Sequence, residues 1–172
     1  MTNTERAFVN QSRSLLTAEY LPKIRACVAG LPDEDIWWRP NPTSNSIGHL
    51  LLHLSGNLQE WVVSALGGHQ EQRQRHLEFA PDREPSIAEL MERLARTVSE
   101  ADAVLGTLDG SILAERRLIQ GESVTALEAI YHAVEHFSMH TGQVIYIAKL
   151  RTGRDLAFYE VKNGIARPQR TG

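Results

Sequence analysis

Apolar residues return every three to four positions over several long stretches of this chain, a spacing that predicts amphipathic helices and not strands. From about residue 4 to 29 the apolar face carries Phe8, Leu15, Leu16, Leu21, Ile24 and Val28, and Gly30 supplies a stop. Pro22 lies inside that stretch and has no backbone N–H to give, so a kink or interruption is expected there. A helical turn is predicted over 31–38, after which Arg39-Pro40-Asn41-Pro42 enforces an extended loop. Ser44, Asn45 and Ser46 are all good N-cap types for the next helix, which runs up to Gly67-Gly68.

Residues 69–85 are polar and charged without a helical period, and read as a connection with a helical turn around 73–79 that can form a lid. Ser86 with Glu89 makes a capping box, and Ile87, Leu90, Leu94, Val98, Ala101 and Leu105 continue a third helix to about 108. After a connection over 112–121, Ser123 or Thr125 caps a long helix to about 151, with Gly153 as its stop. The rest, from about 152, reads as an extended tail. Four long amphipathic helices without alternating strands predict an all-α fold, a four-helix bundle formed as one domain over residues 1–172.

Composition narrows the function classes. The formal net charge of -3 gives no basic field for nucleic acid. Cys27 is the only cysteine, which excludes an internal disulfide and a cysteine-built zinc site and suits a reducing cytoplasm. No stretch of about 18 apolar residues is present to span a membrane, and the N-terminus has no apolar export core, so a soluble cytoplasmic protein is expected.

The chemistry is concentrated in histidines. His49 and His53 share the second helix, while His132, His136 and His140 follow one another at intervals of four on the last. Imidazoles four apart project from one helical face and can address a common ion, leaving a further ligand to come from elsewhere. At 100° per residue, His136 and His140 lie at the edge of the apolar sector that holds Ile130, Ala133, Phe137 and Val144. His53 and Asn57 border the corresponding sector of the second helix; His49 and His132 point farther out. The favoured metal ligands are therefore His53, His136 and His140, with supporting or surface roles for His49 and His132 and simple exposure for His69 and His76. A histidine beside a core is usually a hydrogen-bonded core or surface residue; three meeting across two helices are costly to explain as packing, because each buried imidazole needs a partner.

Other metal architectures fit less well. No glutamate stands three residues before a histidine, as a di-iron bundle needs, and neither HExxH nor GxSxG occurs. Asn57, Gln143 and His132 are candidates to orient ligands or substrate, and each is equally readable as a helix-surface residue. The arginines between residues 73 and 78 can bind an anionic group, although a solvated charged loop is the commoner explanation.

The segments NSIGHLLLHLSGNLQEWV and YHAVEHFSMHTGQVIYIAKL, the latter with its HxxxHxGQ pattern, together with the WWRPNP loop, resemble the DinB-like helical-bundle superfamily, which includes YfiT-type metal-dependent hydrolases and bacterial thiol S-transferases. The resemblance covers about residues 4–150. It implies His53, His136 and His140 as ligands of one divalent ion, zinc or nickel, and a homodimer. It implies a small-molecule substrate, with a low-molecular-weight thiol as one option, and leaves the reaction open between hydrolysis and thiol transfer. Three imidazoles without a fourth protein ligand suit a catalytic metal; a non-catalytic module in which the ion only ties two helices together is the alternative.

Overall fold

A computed structural model describes residues 2–70, 73–81 and 83–168. It is predominantly helical. Helix α1 (Asn3–Ser14) runs through a π-helical stretch, Leu15–Tyr20, into α2 (Leu21–Val28). Pro22 sits in the first turn of α2, where a missing N–H costs least, and the widened turns before it absorb the ring, so the helical path is re-formed and not broken. The short α3 (Asp33–Trp37) leads to α4 (Ile47–Leu58), which continues through a second π-helical stretch, Gln59–Ser64. Then come α5 (His76–Phe79), α6 (Ile87–Thr107), a 3-10 turn (Gly110–Ala114) and α7 (Ala126–Thr152).

Capping boxes start the long helices, Thr2 with Glu5, Ser86 with Glu89 and Thr125 with Glu128, and Gly153 in the left-handed region (φ 64) ends α7. Every residue of α4 is buried, which makes it the central element, with α6 and α7 packed against it and α2 against α7. Helix α6 contributes Leu90, Leu94, Val98, Ala101 and Leu105 at the expected period. Ala129 and Ala133 of α7 are buried in the core, and Phe137 stacks on Tyr20 with ring centroids 6.0 Å apart. Gly48 admits Trp37: a Cβ there would lie 2.7 Å from the nearest ring atom, and the indole Nε1–H donates to the Pro85 carbonyl at 3.1 Å.

Two short antiparallel hairpins depart from the purely helical reading. Strand β1 (Arg116–Ile119) lies in the expected 112–121 connection, β2 (Glu122–Thr125) takes the residues expected to cap the last helix, and β3 (Tyr159–Lys162) and β4 (Ile165–Pro168) occupy the tail. Both turns have positive φ at their two central residues, Gln120-Gly121 (53, 85) and Asn163-Gly164 (54, 76), the pattern of tight hairpin turns. Among the described residues no helix is long and apolar enough to cross a membrane.

Candidate metal centre

Helices α4 and α7 face each other so that His53, one turn before the end of α4, meets His136 and His140 from the middle of α7. The Nε2 atoms of His53 and His136 are 3.0 Å apart and those of His136 and His140 3.2 Å. One nitrogen from each of the three lies within 4.8 Å of the others, close enough to hold a single ion. Tetrahedral coordination at about 2.0–2.1 Å sets ligand nitrogens roughly 3.3 Å apart, so the two short separations are near that edge length.

Hydrogen bonds fix two of the three rings. His53 Nδ1 is 2.8 Å from Glu78 Oε2, and the same carboxylate takes Arg73 Nε–H on Oε1 (2.6 Å) and Arg73 Nη2–H on Oε2 (2.9 Å). A carboxylate so paired only accepts, which puts the His53 proton on Nδ1 and a lone pair on Nε2. The 3.2 Å approach of Arg73 Nη2 to His53 Nδ1 is then two donors sharing one oxygen. His140 Nδ1 donates to Gln143 Oε1 at 2.7 Å, so its Nε2 also presents a lone pair.

Proton counting shows the misfit that a cation would relieve. Two lone pairs point at His136 Nε2, which carries one proton at most; His136 Nδ1, buried without a hydrogen-bond partner among the described residues, is a separate feature that an ion on Nε2 does not satisfy. A proton on Nε2 satisfies one neighbour and strands the other; a proton on Nδ1 leaves lone pairs converging with nothing between them. A divalent ion accepts all of them, and the residues present therefore fit such an ion.

Burial disfavours the charged forms of His136 and His140. Burial, then repulsion from His140, His53, His132 and Arg73, pushes His136 from 6.5 down to about 3. Burial also lowers His140 against the opposing Gln143 hydrogen bond, and lowers His132. Burial by itself would raise the Glu78 carboxyl, but the hydrogen bonds and charges of Arg73 and His53 outweigh it and hold it below the ordinary range. Imidazoles that stay unprotonated are the form in which histidine binds metal.

Around this centre the predicted supporting residues separate. Gln143 Oε1 lies 2.7 Å from His140 Nδ1, whereas Asn57 Nδ2 reaches not one of the three clustered histidines but His132 Nε2, at 3.3 Å. His132 is half-buried and packs tilted against Trp61 (centroids 3.9 Å, interplanar 34°), 5.4 Å from the His136 ring. His69 and His76 are exposed as expected. His49 does not point outward; it is buried, its backbone N–H donates to Ser46 Oγ (3.2 Å) and its Nδ1 lies 3.2 Å from the Ser46 N–H, so it closes the N-terminus of α4 in place of the usual glutamate.

The arginine connection also departs from the solvated-loop reading. The Arg73 side chain is only 5% exposed and bridges Glu78 to Glu60, whose Oε2 receives Nη1–H at 2.6 Å. Glu78, which contacts His53, is the neighbour of the cluster that sequence reasoning missed, because it lies on a short helical turn with no periodicity to say which way its side chain goes. Beside the cluster, Gln143 also borders a cleft of about 550 Å³ lined by Leu50, Met139, Tyr146 and Ile147 and by the 43–45 loop.

A helical protein with three convergent imidazoles across two helices is the class that this geometry defines. The chain belongs to a family described as "Protein of unknown function (DUF1572)", which matches residues 3–164. No curated protein matches it. The fold recurs in a conserved protein from Enterococcus faecalis whose crystal structure superposes with a TM-score of 0.72 at 18% identity, over 84% of this chain and 97% of that one.

Proposed function

We propose that this chain is a metal-dependent enzyme with a four-helix bundle of the DinB/YfiT type, in which His53, His136 and His140 hold one divalent ion, zinc or nickel. The observation that carries this reading is the meeting of three Nε2 atoms, two of them left as lone pairs by the hydrogen bonds to Glu78 and Gln143. Such an ion supplies Lewis-acid chemistry that activates water or a thiol near neutral pH, so the reaction is hydrolysis or thiol transfer. The protein's own residues do the rest. Glu78 and Gln143 aim their imidazoles, Phe79 covers the His53 ring at 5.1 Å, and the cleft beside Gln143 offers an uncharged wall to a small molecule. A homodimer belongs to the proposal; exposed Met139, Tyr146 and Leu150 along α7 give it an apolar surface.

The test is elemental analysis of protein purified without added metal, combined with a screen of thiol conjugation and ester hydrolysis. One equivalent of metal is expected, cut sharply by His53→Ala, His136→Ala or His140→Ala and unchanged by His69→Ala or His76→Ala. Wild-type protein that takes up neither zinc nor nickel above the imidazole pKa of about 6.5 refutes the metal reading. Stoichiometric metal that is inert to thiols and to exchange favours a purely structural ion.

A further inference from the structure

Within the connection between α4 and α6, the 73–81 stretch is held down by charge more than by apolar packing. Over 73–81, Phe79 is exposed and Leu77 half-buried, while the Arg73 and Glu78 side chains are 5% and 4% exposed. The surface of α4 is cut away to seat them. A Cβ at Gly56 would fall 2.0 Å from Glu78 Oε1 and 3.1 Å from Arg73 Nε, so a residue that weakens a helix interior is what admits the pair. On its far side Arg73 is tied to Glu60 in the π-helical stretch, and Glu60 also receives the Gln120 amide at 2.7 Å from the β1–β2 turn.

Resting on the metal reading above, we propose that Glu78 is the positioning residue for the ligand His53, and that the Glu60–Arg73–Glu78 network couples closure of the 73–81 connection to metal binding. Glu78 accepts the Nδ1 proton of His53 and thereby turns the Nε2 lone pair toward His136. An ion on Nε2 in turn keeps the proton on Nδ1, the form that Glu78 grips, and polarises it, which strengthens the bond. The coupling is reciprocal: a seated connection favours the ion, and the ion favours the seated connection. Loss of either partner leaves a buried charge without its match, so the network holds or opens as a unit.

Hydrogen exchange of peptides spanning 73–81, with one equivalent of Zn²⁺ or with a chelator, reads the coupling, and competition against a chromophoric chelator reads affinity on the same samples. Metal should slow exchange across 73–81 in the wild type by roughly 5–150-fold, the usual range for coupled sites. Glu78→Ala should weaken zinc by about 10–100-fold and abolish the metal-dependent protection. Glu78→Gln, which keeps an accepting oxygen, should recover part of both. Gly56→Ala should mimic Glu78→Ala although alanine is the better helix former and no ligand is touched, and His76→Ala should change neither. Far-UV circular dichroism confirms that each variant is folded; if Glu78→Ala is not, Gly56→Ala and Glu78→Gln carry the test. Wild-type affinity in Glu78→Ala and Gly56→Ala, or exchange over 73–81 that is indifferent to one bound equivalent, overturns the proposal while leaving the metal reading intact. A wild type with no bound metal overturns both, and elemental analysis tells the two failures apart.

Discussion

Acidification of the metal-free protein isolates the electrostatics of the histidine cluster. His136 is held at about 3 in the folded chain against 6.5 as its ordinary value, so between those two pH values the unfolded chain binds a proton that the folded chain refuses. Stability is then fully present above about 6.5, falls as pH drops through the window, and is lost in full near 3. His49, His132 and His140, all lowered first by burial, act with the same sign. The lowered Glu78 joins only toward the bottom of the window, below the ordinary carboxylate range. Between pH 5 and 6.5 the slope therefore belongs mainly to imidazoles, and each fully depressed histidine contributes at most about 1.4 kcal/mol per pH unit. Urea denaturation with excess chelator at pH 5.0, 5.5, 6.0 and 6.5 measures it. His136→Ala should remove about 1 kcal/mol per pH unit from the wild-type slope, one proton's share. A wild-type stability that is flat over that range, or that rises on acidification, refutes the claim that burial and mutual repulsion keep these rings neutral.

Gly48→Ala forces a methyl to within 2.7 Å of the Trp37 ring. Overpacking of about 1–3 kcal/mol should exceed the roughly 1 kcal/mol gained in helix propensity, so a lowered urea midpoint is expected, and a raised one removes the packing claim. Light scattering across micromolar concentrations should give a dimer mass; a monomer throughout removes the dimer without touching the metal cluster.

The helical layout and the three imidazoles were legible because both rest on a fixed period. Leu90, Leu94, Val98, Ala101 and Leu105 line up at α spacing, and His53, His136 and His140 fall at the edge of such faces. His49 defeated the same projection because its role is local: its ring returns to the Ser46 cap and never reads out the helix face. Past Leu58 the helix widens into π turns, so an angle of 100° per residue no longer says where Glu60 points, although Trp61 and Val62 stay on the buried side. Glu78 was out of reach for a related reason, since a four-residue helix gives no phase. The hairpins were within reach: Asn163-Gly164 is a strong two-residue turn signal, overlooked because its flanking strands are four residues long and largely exposed. What the sequence conveyed least was the pairing of charges across distant segments, such as Arg73 with Glu60 and Glu78.

His53 and His136 stand 83 residues apart in the chain, yet their nitrogens are 3.0 Å from each other. Bringing the ends of so long a loop together costs roughly 4 kcal/mol of chain entropy in its length-dependent part. An ion bound by both would be a reversible cross-link in a protein whose single cysteine can form no internal bridge. The cell's supply of that ion would then act on the lifetime of the fold, and not only on whatever reaction the centre carries out. A chain emerging from the ribosome could make no such link until the 82 residues between His53 and His136 had been synthesised.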